Sequence, residues 1–180
     1  MRALADAARI RTFMRELGRA ASAPGQVYLT GGATAVLIGW RDTTVDVDLK
    51  MVPEQDRVFR AIPALKESLQ LNVELASPDD FIPVPDGWQD RSAFIVQEGP
   101  LSFRHFDFVA QALAKIERGH AQDLLDVREM LTRGMVSVAG LRDAYEEIDA
   151  QLYRYPAIDP PAFRRALEGA LASLLPPESR

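Results

Sequence analysis

The sequence predicts an α/β protein of the α+β kind: a mixed sheet with flanking helices, followed by a helical C-terminal part. Three observations lead there. Helical spacing of apolar residues opens the chain, short β-rich runs bounded by turns fill its first hundred residues, and helical periodicity takes over from Ala110 onwards. The 180 residues therefore divide into an α/β core over 1–109 and a helical part over 110–180 packed on that core. Hydrophobic residues make up 47% and charged residues 26%, enough for a folded core without disulfide or metal staples.

The elements follow in order. Leu4, Ala7, Ala8, Ile10, Phe13, Met14 and Leu17 recur at helical spacing, with Gly18 near the stop. A turn at "APGQ" leads into a short strand, "QVYLT", which ends at Gly31-Gly32. "ATAVLIGW" is too apolar for a surface loop and suits a short buried helix. "TVDVDLKMV" is β-branched and apolar, hence a strand, closed by Pro53. Residues 54–70 return to a helical stripe of Val58, Ile62, Leu65 and Leu69, with Pro63 as a point of kinking or breakage. "LNVELA" (71–76) alternates, placing Leu71, Val73 and Leu75 on one face and Asn72 and Glu74 on the other. A Pro-rich loop, "SPDDFIPVPDGWQDR", precedes two strands at 92–98 and 101–109 around a hairpin turn at Glu98-Gly99-Pro100. Helices complete the chain, interrupted at Gly119, Gly134 and "YPAIDPPAF"; the last, with Phe163, Leu167, Leu171 and Leu174, reads as a packing or oligomer-interface helix.

Composition excludes several classes. No cysteine is present, which removes disulfides, thiolate zinc sites and thiol nucleophiles together. His105 and His120 are the only histidines and lie far apart in sequence, against a His-based metal site or a Ser-His relay. A net charge of −5 argues against broad electrostatic nucleic-acid binding. The N-terminal stretch mixes arginines and acids with apolar residues, unlike a signal peptide, and no apolar run is long enough to span a bilayer. The expectation is a cytoplasmic protein with no membrane partner.

One stretch carries chemistry: "TGGATAVLIGWRDTTVDVDL", Thr30 to Leu49. Residues two apart on a strand share a face, so Asp46 and Asp48 project together while Val45, Val47 and Leu49 face the other way. Adjacent carboxylates repel, and a divalent cation resolves the repulsion. Mg²⁺ (or Mn²⁺) takes hard oxygen ligands of this type, commonly one or two carboxylates plus substrate phosphates. Upstream, Gly31-Gly32 ends a strand and opens a helix, where bare backbone N–H groups and the helix dipole favour an anion. Solvated acids at a strand end and an ordinary glycine turn are the plainer explanation of the same residues.

The arrangement of Gly31-Gly32, an apolar helix, Arg41, Thr43 and Asp46-Val47-Asp48-Leu49 resembles the signature of the nucleotidyltransferase superfamily that includes DNA polymerase β. Within it, the chain is similar to bacterial minimal nucleotidyltransferase-like proteins and to nucleotidyltransferase toxins of the abortive-infection type. "LNVELASPDDFIP" and "LAKIERGHAQDLLDVREML" (113–131) share in the likeness, which covers roughly residues 25–131. The resemblance implies a nucleotidyltransferase-like fold in which Gly31, Gly32, Thr34, Arg41 and Thr43 meet the nucleotide and Asp46 and Asp48 hold the metal. Gly32 stands where many active members have serine, so the hydroxyl contact to phosphate is missing unless Thr30 or Thr34 supplies it.

Such sites use a third acid. Glu74, on the polar side of its alternating run, is the candidate to complete a catalytic and metal-binding set with Asp46 and Asp48; Asp107 in "FRHFDF" is the rival. On the helix "AQDLLDVREML", Asp123 falls inside the apolar arc of Leu124, Val127, Met130 and Leu131, with Asp126 at its edge. A buried carboxylate needs a partner, which Lys115 or an arginine could supply. The resemblance has Lys115 reaching nucleotide phosphates and Asp123 supporting the site; the alternative is that Asp123 only complements its helix dipole. The activity so implied is transfer of a nucleoside monophosphate from a triphosphate to a hydroxyl on RNA or protein. The rival is a catalytically inactive binding module of the same fold, one component of a toxin–antitoxin pair. A cognate toxin or antitoxin and a second copy of the chain are the implied protein partners.

Overall fold

The structure, a computed structural model, describes residues 3–174. It is mixed α/β, as the sequence patterns predict. The chain divides into two compact units, one of residues 1–77 with 92–106 and one of 78–91 with 107–180. The Pro-rich loop thus belongs with the helical unit, an alternation that local patterns do not reveal.

In the first unit, strand β1 (Ala5–Asp6) leads into helix α1 (Ala7–Ala20), strand β2 (Gly25–Thr30) and helix α2 (Gly31–Ile38). Then come β3 (Thr43–Thr44), β4 (Asp46–Val52), helix α3 (Asp56–Ser68) and β5 (Asn72–Glu74). After the excursion into the second unit, which contains a short helix α4 (Trp88–Arg91), the hairpin β6 (Phe94–Glu98) and β7 (Leu101–His105) returns. The main sheet has the order β5-β4-β2-β7-β6. β2 runs antiparallel to β4 and parallel to β7, and β4 is parallel to β5. β1 pairs separately with β3, so the expected single strand "TVDVDLKMV" is two, parted at the exposed Val45.

Alternation builds the core. Val27 and Leu29 of β2, Val47, Leu49 and Met51 of β4, Val73 of β5 and Phe103 of β7 meet Ile10, Phe13, Met14 and Leu17 of α1 and Val58 and Ile62 of α3. Asp6 starts α1 by accepting from Arg9 N at 2.8 Å, a side-chain N-cap. Pro63 does not break α3, which runs through it. Pro63 is exposed, so the carbonyl it deprives of a donor can turn to water.

The second unit holds α5 (Phe108–Arg118), α6 (Ala121–Thr132), α7 (Val138–Asp149) and α8 (Pro160–Leu174). Gly119 and Gly134, at φ 69° and 68°, end α5 and α6 in the left-handed region that favours glycine. β7 stops at His105 rather than at residue 109, because the Asp107 carboxylate caps Val109 N and starts α5. Phe163, Leu167 and Leu171 are buried where α8 packs on α5, α6 and α7. The Pro-rich segment is pinned within this unit, with Tyr155 OH donating to Asp79 O at 2.8 Å and Asp86 N donating to Glu147 at 2.6 Å. Among the described residues, no helix is long and apolar enough to cross a membrane.

Candidate active site

The site begins where β2 becomes α2. Thr30 is extended, and Gly31 follows at φ 60°, a turn that costs glycine little. The side chain of Thr30, the N-cap residue, makes no capping hydrogen bond. Gly32 has no room for a side chain: a Cβ there would lie 2.7 Å from Thr44 Cβ and on top of the Thr44 hydroxyl. Thr44 cannot retreat freely, since it is buried, pairs with Ala5 and donates its hydroxyl to Asp46 O at 3.1 Å. Gly32→Ala should therefore overpack this contact and lower stability by about 2 kcal/mol. Thermal denaturation checks it, and a variant melting with the wild type would mean that the turn yields.

β4 runs back alongside β2, and its register brings Asp48 opposite Thr30. Val47, Leu49 and Met51 enter the core while Asp46, Asp48 and Lys50 stand half-buried on the other face. An Asp48 oxygen lies 3.1 Å from where a Gly31 Cβ would be, so one acid abuts the glycine turn. Across the parallel pair, Asn72 faces Asp46 and Glu74 faces Asp48, which sets all four polar side chains on one face of the sheet. The Asn72 amide donates to Asp46 Oδ1 and also reaches Glu74 Oε1 at 3.3 Å. Glu74 is exposed, and among the described residues no three acidic or imidazole side chains converge closely enough to hold an ion. The Asp46–Asp48 pair offers hard carboxylate oxygens, the donor type that Mg²⁺ takes. Glu74 shares their face, paired opposite Asp48.

The other sequence candidates have distinct surroundings. The hydroxyl of Thr34, fully buried, donates to Leu29 O at 3.3 Å and lies 3.1 Å from His105 Nδ1. Thr43 is half-buried opposite Asp6 in the β1–β3 pair. Arg41, also half-buried, follows the turn that closes α2. Asp107 in the second unit is clasped by Arg91, at 3.2 Å from Nε and 2.9 Å from Nη2, while it caps α5.

Lys115 and Asp123 also belong to the second unit. The Lys115 ammonium is buried, 3.2 Å from Asp123 Oδ1 and 2.7 Å from Asp126 Oδ2. Arg118 adds two bonds to Asp123, at 2.7 and 2.5 Å. Burial alone would raise the Asp123 carboxyl, but the Arg118 bonds and the nearby Lys115 and Arg118 charges hold it below its ordinary value. Asp126, which helical spacing puts at the edge of the stripe, is completely buried. The sequence assigns Asn72, Thr44 and His105 no part in the site. Each acquires its role through register with a distant segment, for which local spacing holds no signal.

Residues 7–158 match the family described as "Nucleotidyltransferase of unknown function (DUF6036)", and the chain belongs to that family. No curated protein and no solved structure matches the chain.

Proposed function

We propose that this nucleotidyltransferase-family chain binds a nucleoside triphosphate with Mg²⁺ or Mn²⁺ and transfers its nucleoside monophosphate to a hydroxyl on RNA or protein. The observation that carries the reading is the junction of two features: the glycine turn at Gly31-Gly32 that opens α2 and the acidic face of β4, abutting at Asp48. The turn's backbone N–H groups would take phosphate oxygens, and Arg41 and Thr43, on the segment joining α2 to β4, would add to that contact. Asp46 and Asp48 would hold the cation, whose contribution when bound is to neutralise charge on the phosphates and align them for in-line attack. The acceptor oxygen would bond to the α-phosphorus as the bond to pyrophosphate breaks. Glu74, exposed on the same face, would receive the acceptor's proton.

Asp48→Asn should remove the stabilisation given by triphosphate with Mg²⁺, about 2.7 kcal/mol at a hundred times the dissociation constant. The ligand-free variant should melt at or slightly above wild type, because a like charge is gone. A large loss of stability without ligand would instead make Asp48 structural.

A second reading has its own support. The Asn72 amide lies between Asp46 and Glu74, where a third carboxylate would otherwise meet the first, and this favours a binding module over an enzyme. Such a module would serve as one component of a toxin–antitoxin pair. Incubating total RNA and protein with each labelled triphosphate and Mg²⁺ or Mn²⁺ separates the readings. Labelled acceptor identifies a transferase; triphosphate binding with no transfer identifies the module.

A further inference from the structure

Thr44 touches both halves of the proposed site without belonging to either. Its Oγ1 and Cβ fill the space that a side chain on Gly32 would need, against the first turn of α2. Its hydroxyl also donates to the carbonyl of Asp46, the first residue of the acidic strand, at 3.1 Å. Thr44 itself is buried and held in register by β1, through its pairing with Ala5. One short, β-branched side chain therefore spans from the glycine turn to the backbone beneath the first acid. β-branching restricts its rotamer, so the span is stiff.

We infer that Thr44 is a positioning residue that sets the spacing between the phosphate seat at Gly31-Gly32 and the cation seat at Asp46. The inference rests on the triphosphate-and-metal reading of the site. Its consequence is specific: a cation shared between carboxylates and phosphates binds cooperatively with the triphosphate only when the two seats are correctly spaced. The factor by which the metal tightens triphosphate binding equals the factor by which triphosphate tightens metal binding, and it measures that spacing. Neither seat loses its own groups when Thr44 changes, so the coupling is what should fall.

The test measures affinity for a non-hydrolysable ATP analogue by calorimetry, with and without Mn²⁺, alongside melting curves. Thr44→Val keeps the shape and loses the hydroxyl, and Thr44→Ser keeps the hydroxyl. Thr44→Val should melt close to wild type and lose on the order of ten-fold in the coupling factor. Thr44→Ser should retain most of the coupling. Thr12→Val, which removes a hydroxyl that donates to Ala8 O within α1, is the control and should leave the coupling as it is. Coupling unchanged in Thr44→Val, or lost equally in Thr44→Ser and Thr12→Val, overturns the assignment while leaving the nucleotide reading intact. Absence of analogue binding by the wild type in both conditions overturns the nucleotide reading and this assignment with it.

Discussion

Replacing Lys115 by alanine should cost about 3–5 kcal/mol of stability, because it removes the cation facing two buried carboxylates. The cost comes from what remains. Asp126 has no exposed surface, and removing the ammonium 2.7 Å from it leaves a buried carboxylate without that counter-charge. Asp123 keeps Arg118 and should suffer less. Asp126→Ala should accordingly be costly by itself, leaving the lysine short of a counter-charge. Lys115→Met combined with Asp126→Leu should recover much of the loss, since an apolar replacement of a buried ion pair is often neutral. Urea denaturation of the single and double variants measures this, and a Lys115→Ala variant that loses less than about 1 kcal/mol would show the cluster to be open to water.

Acidification should expose His105. Burial, with Arg11 nearby adding to it, pushes this imidazole down to about 4 from an ordinary 6.5. Folded protein thus keeps His105 neutral between pH 6.5 and 4, while the unfolded chain takes up a proton over that interval. Stability is unaffected above about pH 6.5 and falls as pH drops toward 4, by about 3 kcal/mol in all. Nδ1 lies 3.1 Å from the Thr34 hydroxyl, itself bonded to Leu29 O, so the strain falls on the junction of β2, α2 and β7. His105→Gln keeps a polar partner for Thr34 and cannot titrate. Subtracting its stability profile from that of the wild type isolates this group from the carboxylates that also titrate in acid. Parallel profiles from pH 7 to 4 would mean that water reaches the ring in the folded state.

Much of the first unit can be read from local pattern. Val47, Leu49 and Met51 alternate with Asp46, Asp48 and Lys50 over a single strand, and a strand with one buried face must then present its acids on the other. Glu74 follows by the same rule once β5 is laid beside β4. What local pattern does not carry is pairing between distant segments. Asn72 meets Asp46 only because the β4–β5 register is what it is, and a shift of one residue would send it to the opposite face. Gly32 reads as a permissive turn residue, yet its constraint is the side chain of Thr44, which arrives from beyond α2. Asp107 alternates with its aromatic neighbours like a strand residue. Its commitment to Arg91 and to the first turn of α5 depends on a segment that local propensity reads as loop.

The order of strands in the main sheet bears on how the chain is made. Residues up to Glu74 contain β2, β4 and β5, which can pair as soon as they leave the ribosome. The other side of β2 is reserved for β7, which is synthesised only after the detour through residues 78–91. Until then β2 presents an open edge with Val27 and Leu29 on its apolar face, a template for pairing with another nascent chain. The hairpin of β6 and β7 supplies the strand that closes that edge. Arg91 and Asp107, the residues that bracket this ribbon's stretch of chain, are joined by their ion pair, which shortens the loop that must be searched. The vulnerable interval in the life of this protein is therefore a stretch of translation, the time between the emergence of β5 and that of β7.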